Sequence, residues 1–457
     1  MKKKIIVGVI TLLLIISGSF LINSLNEKEL KEETKINNIE ALVLSNENNT
    51  LTIQDNDNVI YTLSFDDEKV EVGSTIIIEY TGSLNKDIKL QEIKIVDYEQ
   101  KAKSVNEDGI NEEWLDDGIF SQYYILANNK LKTMTLAEKI SQLFIVRYPD
   151  DVTAATIQEK YQFAGYVFFA KDFSDKTEQE VKTMIKKVQN VSKIPMLTAV
   201  DEEGGNVVRV SSNANLVAEP FKSPSELYNE GGFDLITTDT IKKSTILNNL
   251  GLNVNLAPVV DVSTDPSDYM YSRSIQQDKT VTSEYAKTVI TASKNNTVSY
   301  VLKHFPGYGN NNDTHTGSVL DNRSYASIVE NDLPPFEAGI SAGAEAILVS
   351  HNTVVNIDAD NPASLSPTIH NLLRDELKFT GVIITDDLDM GAIDDVSDAT
   401  IKAIQAGNDL IITTDYETSI NAVTKALEEG TIIEDDIDKL VFRVLAWKYY
   451  KGLIYEK

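Results

Sequence analysis

The chain has no cysteine. That excludes a disulfide framework, thiolate zinc sites, a cysteine nucleophile and a lipidated cysteine near the N-terminus. Histidine is almost as scarce, with 4 in 457 residues and no His-x-x-x-His pair, so a histidine-rich metal site is not expected. Positive charge is short too: 42 Lys and Arg face 70 Asp and Glu, a formal net charge of -28. Nucleic acid would be repelled by such a surface, whereas a neutral ligand would not. Nothing in the sequence gives a warrant for a metal or an organic cofactor.

What is present divides along the chain. Lys2, Lys3 and Lys4 precede an apolar run from Ile5 to Ile22, so residues 1–26 read as a secretion signal or an uncleaved membrane anchor. No clean Ala-x-Ala site follows, which favours an anchor with the lysines inside and the rest of the chain outside. Residues 27–38 are charged and read as a tether. Residues 39–99 hold five short alternating segments, at Ala41–Ser45, Thr50–Gln54, Val59–Phe65, Thr75–Thr81 and Leu90–Val96, between Asn, Asp and Gly clusters. They predict a small antiparallel barrel or sandwich, such as one of the OB type, with no recognisable chemistry of its own. Residues 100–132, acidic and aperiodic until Tyr123, are taken as a linker.

From residue 133 to 457 apolar runs alternate with amphipathic stretches. The strand candidates are Leu143–Val146, Ala164–Phe169, Met196–Val200, Val254–Val260, Ser299–Leu302, Ala346–Val349, Val382–Thr385 and Asp409–Ile412. Thr135 to Glu138 reads as a capping box, and Ser223-Pro224 and Ser366-Pro367 as helix starts. Eight such alternations, with no glycine-rich nucleotide fingerprint after the first strand, predict an α/β TIM (β/α)8 barrel preceded by the all-β module. In that fold the residues that end each apolar run face the site. Here they include Asp201 to Arg209, Lys303-His304, Ser350-His351 and Asp386-Asp387.

The richest stretch is Lys303 to His315. Pro306, Gly307 and Gly309 forbid a helix, and the loop carries a lysine, two histidines and an aspartate with few apolar residues to hold it down. Asp313 and His315, two apart, would share one side of an extended segment, and the carboxylate could then tune the imidazole as a proton donor and acceptor.

Lys303-His304-Phe305-Pro306-Gly307-x-Gly309 followed by Asp313-Thr314-His315 resembles the signature of glycoside hydrolase family 3, in its single-domain bacterial β-N-acetylglucosaminidase branch. Gly381 to Met390, preceded by Leu372-Leu373-Arg374-x-Glu376, resembles the nucleophile segment of the same family. The resemblance covers roughly residues 134 to 453. It implies Asp386 as the nucleophile, His315 as acid/base with Asp313 beside it, and Asp201, Arg209, Arg273, Lys303 and His304 as sugar-binding residues. Asp387 is the competing carboxylate; strand alternation would turn it away from the mouth to cap the next helix. Glu202 and Glu203 are ranked structural, because glycines follow them. Too few residues follow the eighth strand for the further domain that supplies the acid in other members, so the acid is expected from the barrel.

There are departures from the pattern. Tyr308 stands where the family usually has histidine, the spacer from Gly309 to Asp313 is one residue shorter, and Thr314 replaces serine. The surviving Asp-x-His spacing implies that the chemistry persists. The expectation is therefore an exported retaining exo-β-N-acetylglucosaminidase acting on cell-wall fragments or chito-sugars. The partners expected are a carbohydrate substrate and, through the N-terminal segment, a membrane. Three alternatives stay open: glucosidase-type specificity, phosphate in place of water as acceptor, and a wall-anchored carbohydrate-binding protein without turnover.

Overall fold

The computed structural model describes residues 36–47, 50–55, 60–64, 75–81, 93–97, 106, 108–294, 296–393 and 396–455. They fall into two compact units that divide between Ser104 and Val105. Residues 1–26 of the expected leader, and the tether up to residue 35, lie outside the described residues. Among the described residues no helix is long and apolar enough to cross a membrane.

In the first unit β1 (Ile36–Glu47), β2 (Thr50–Asp55), β3 (Ile60–Ser64), β4 (Thr75–Thr81) and β5 (Ile93–Asp97) form one antiparallel sheet in the order β3-β2-β1-β4-β5. Every second residue faces the core: Ala41 and Val43, Leu51 and Ile53, Ile76 and Ile78 are buried together with Leu63. That two-residue period made the strands legible. β1 starts earlier than expected, inside the tether, because Ile36 to Asn38 pair with Glu79 to Thr81 of β4.

In chain order the second unit contains β6 (Phe144–Arg147), β7 (Gly165–Phe168), β8 (Leu197–Val200), β9 (Val254–Asn255), β10 (Ser299–Phe305), β11 (Leu320–Asp321), β12 (Ala346–Val349), β13 (Thr353–Val354), β14 (Val382–Asp387) and β15 (Leu410–Thr413). β11 and β13 pair only with each other. The other eight close into a parallel barrel, each beside the next, with Ile411 to Thr413 of β15 joined to Phe144 to Val146 of β6. This is the TIM barrel that the alternating pattern predicts. Thr135 and Glu138 form the expected capping box, with N–H groups donated in both directions at 3.3 and 2.9 Å. Ser223 and Ser366 likewise cap helices that begin at Pro224 and Pro367.

Part of the expected linker is ordered against the barrel. Residues 124–131 form a helix, and the Trp114 and Tyr124 rings lie 5.5 and 5.0 Å from Phe442 on the closing helix Glu434–Tyr450. The acidic run around them hides these aromatic anchors from a reading of periodicity.

Lys448, on the same closing helix, is wholly buried and donates to the Gln142 side chain and the Ala164 carbonyl, both at 2.9 Å, with no carboxylate among its bonds. Burial pushes its ammonium down from 10.5 to about 7. Above pH 7 the unfolded chain therefore holds a proton that the folded chain has released, so stability rises with pH until the unfolded value is passed. Below pH 7 the full penalty applies, on the order of 5 kcal/mol at about 1.4 kcal/mol per pH unit. Melting of the wild type and Lys448→Met should converge as pH rises from 7 to 10, the variant being relatively more stable at the acid end. An unchanged difference across that range would mean that the lysine stays charged.

Candidate active site

The residues at the C-terminal ends of the barrel strands surround a cavity of about 270 Å3. Two irregularities of the backbone decide what faces it. The β10–β12 ladder changes register between Leu302 and Phe305, and the β14–β15 ladder between Ile384 and Asp387. At both places strict alternation is lost. Lys303 and His304, neighbours in sequence, both line the cavity, and so do Asp386 and Asp387. The expectation that Asp387 turns away to cap a helix is corrected by this slip.

The sugar-binding candidates meet as a charged cluster. Lys303, with 4% of its side chain exposed, reaches Asp201 at 2.8 Å and Glu203 at 2.7 Å. Arg273 clamps Glu203 through two nitrogens at 3.0 and 2.7 Å, and one of them lies 3.3 Å from the His304 ring. Arg209 stands 3.9 Å from Asp201, over the Phe169 ring. Burial works to raise the Glu203 carboxyl, but Arg273 and Lys303 prevail and hold it well below the usual range. Glu203 is thus the residue that the sequence underrated: it pins two cations in the cavity wall. Glu202 keeps the structural role assigned to it, accepting the N–H groups of Arg209 and Val210 at 2.8 and 2.6 Å. Neutralising Glu203 should loosen both cations, and Glu203→Gln is expected to raise KM about tenfold or more and to lower Tm, since breaking a buried ion pair costs roughly 3–5 kcal/mol. Steady-state kinetics and calorimetry on the variant check this.

Asp261 was not among the sequence candidates, and it organises the next layer. One oxygen accepts from His304, with Nδ1 at 2.7 Å and the backbone N–H at 3.2 Å. The other accepts the Tyr308 N–H at 2.7 Å. His304 Nδ1–H thus donates to Asp261, and Nε2 is directed towards Arg273 in the cavity wall.

Asp386 receives the N–H of Asp387 at 2.9 Å. Burial alone would raise its carboxyl; His351, His304, that N–H and Lys303 outweigh it and hold the group below its usual value. Asp387 sits differently. Burial pushes it up to about 6, against the pull of Arg147, whose Nε lies 2.6 Å away. Behind the pair, buried His351 donates from Nε2 to the Asp387 carbonyl at 2.9 Å and accepts from Ser364 at 2.7 Å. Burial lowers its basicity against the opposing pull of Asp386, and its two bonds fix the end of β14.

His315 lines the same cavity with 58% of its side chain exposed. Asp313 accepts from its Nδ1 at 2.6 Å and from its backbone N–H at 2.9 Å. The two meet through a tight turn closed by Thr316 N–H on the Asp313 carbonyl at 3.3 Å, not along an extended segment as the spacing suggested. Burial would raise the Asp313 carboxyl, but the His315 donors hold it below its usual value, so it remains a carboxylate. The loop is also better anchored than its composition suggested: Tyr308 is buried with Val259 and Met270. At its root, Arg323 binds Asp321 and Asp332 and donates to the Gly307 carbonyl at 3.2 Å.

A buried carboxylate and a histidine whose Nδ1 is engaged by Asp313, lining one cavity walled by charged and hydrogen-bonding side chains, fit a barrel enzyme that breaks glycosidic bonds. The comparisons fix the class more narrowly. Residues 135–447 match the glycosyl hydrolase family 3 N-terminal domain, and the chain belongs to that family of glycoside hydrolases. Beta-hexosaminidase LpqI of Mycobacterium tuberculosis is 29% identical over 325 residues, 68% of this chain and 82% of its own length. A solved family 3 glycosyl hydrolase of Mycobacterium smegmatis superposes with a TM-score of 0.63 at 29% identity, over 69% of this chain and 98% of that one. A family 3 β-N-acetylglucosaminidase of a Paenibacillus species gives a TM-score of 0.65 at 26% identity, over 70% of this chain; the match spans 63% of that protein.

Proposed function

We propose that this glycoside hydrolase is a retaining exo-β-N-acetylhexosaminidase that releases terminal N-acetylhexosamine, with Asp386 as nucleophile and His315 as acid/base. The observation that carries the reading is the His315–Asp313 bond of 2.6 Å on the rim of the cavity that Asp386 lines. Asp201, Arg209, Arg273, Lys303 and His304 bind the sugar hydroxyls; the relatives named for hexosaminidase activity support the choice of sugar.

The mechanism follows from the bonds. In the imidazolium form, Nδ1–H donates to Asp313 and Nε2–H protonates the departing glycosidic oxygen. Asp386 attacks the anomeric carbon and forms a glycosyl-enzyme ester. His315, now neutral, takes a proton from water through Nε2 as the water displaces Asp386.

The apolar leader, residues 1–26, supports export, and cell-wall fragments or chito-sugars are the substrates that an exported enzyme of this specificity meets. The all-β sheet of residues 36–97 serves as a separate spacer or binding module ahead of the barrel domain. Release of chromophore from 4-nitrophenyl β-glycosides of N-acetylglucosamine and glucose tests the specificity. Turnover of the acetylated sugar alone is expected. Binding of chito-oligosaccharides with no turnover of either glycoside would sink the enzyme reading.

A further inference from the structure

Thr314, between Asp313 and His315, is fully buried although His315 is exposed and Asp313 half-buried. All three of its polar atoms are engaged. Its N–H donates to the Tyr308 hydroxyl at 3.0 Å, and its own hydroxyl shares a hydrogen bond of 2.5 Å with the same phenol. Its carbonyl accepts from the Ala392 N–H at 3.0 Å, on the loop that follows Asp386. The neighbouring Gly391 comes so close that a Cβ there would lie 2.9 Å from the His315 carbonyl.

Tyr308 is rooted at its other end. Its ring packs with Val259 and Met270, and its backbone N–H reaches Asp261, the carboxylate that orients His304. Burial holds the phenol protonated far above neutral pH. It can accept from the Thr314 N–H and give its proton to the Thr314 hydroxyl at once, which satisfies all three groups.

We propose that Tyr308 is the positioning residue of the acid/base loop: by fixing Thr314 it sets where Asp313 and His315 stand over the cavity, and it ties them to the Asp261 that orients His304. The proposal rests on the reading of His315 as proton donor. Removing the hydroxyl leaves a buried N–H and a buried threonine hydroxyl without their partner, and Thr314 must move to recover one. A shift of about 1 Å in a catalytic group costs on the order of a hundredfold.

The test is Tyr308→Phe, which keeps the ring, assayed on phenyl and 2,4-dinitrophenyl β-N-acetylglucosaminides. Phenolate needs a proton to depart; dinitrophenolate does not. The variant is expected to lose roughly tenfold to a hundredfold in kcat/KM on the phenyl glycoside and to keep most of it on the dinitrophenyl one. Thr314→Val, which deletes the other hydroxyl and keeps the shape, should show the same selectivity and carries the test if the tyrosine variant does not fold. Equal losses on both substrates, with a lowered Tm, would show a packing role only and overturn the proposal. His315→Ala is run in parallel. If it shows the selectivity and Tyr308→Phe and Thr314→Val do not, the positioning role alone fails; if it shows none, the reading of His315 falls and takes this role with it.

Discussion

Asp386→Ala is expected to lower kcat/KM on the 4-nitrophenyl β-glycoside of N-acetylglucosamine by about 10,000-fold or more, at least about 5.5 kcal/mol of transition-state stabilisation. Without its carboxylate the enzyme is not expected to form the glycosyl ester, since among the described residues the other carboxylates lining the cavity are each ion-paired. Asp201 and Glu203 are held on Lys303, and Asp387 on Arg147. Asp387 is the one rival placed beside it, and its carboxyl, pushed up to about 6, is the weaker candidate for an attacking anion at acidic pH. Adding azide to Asp386→Ala decides between them. The vacated space admits the anion on the face where the carboxylate stood, and an α-glycosyl azide should accumulate. If Asp386→Ala still turns over and Asp387→Ala does not, the two roles are exchanged.

His315→Ala should cost between about 100- and 10,000-fold with an aglycone that leaves as a poor anion, the usual range for general acid–base help. The second half-reaction needs the same imidazole as a base. With an activated aglycone the first step survives while the second slows, so a burst of chromophore and a trapped glycosyl-enzyme are expected. Mass spectrometry of the quenched reaction would then find the sugar on the peptide containing Asp386. Asp313→Asn should fall in the same direction by a smaller factor, since the amide can still accept from Nδ1 but no longer stabilises the imidazolium. Uniform loss across aglycones, with no burst, would remove His315 from proton transfer.

The barrel was legible because strands buried on both faces read as unbroken apolar runs, and all eight runs fall on the strands of the closed sheet. The strand ends were legible for the same reason: Asp201, Lys303, His304 and Asp386 are the first polar residues after, or at the close of, such runs. What escaped notice depends on backbone offsets or on distant partners. No residue type announces the register slip at β14, so strand alternation wrongly turned Asp387 outward. Glu203 looked like part of a glycine turn, and only the folded chain brings Arg273, 70 positions away, against it. Asp261 was passed over because its importance lies in three bonds, two from His304 and one from Tyr308, that cross from one strand end to the next. Tyr308 itself was noticed as a departure from a family pattern, and its burial explains how the departure is tolerated.

The slips at β10 and β14 also bear on how this enzyme can change. A regular strand shows a ligand every second residue, so lengthening or shortening it by one exchanges a whole face. Here adjacent residues already share one face, and each pair is encoded by two neighbouring codons. Point substitution can adjust one member while its neighbour keeps its place in the cavity wall, but an inserted or deleted residue in either strand would displace both. Change in this site should therefore leave the lengths of the two strands constant.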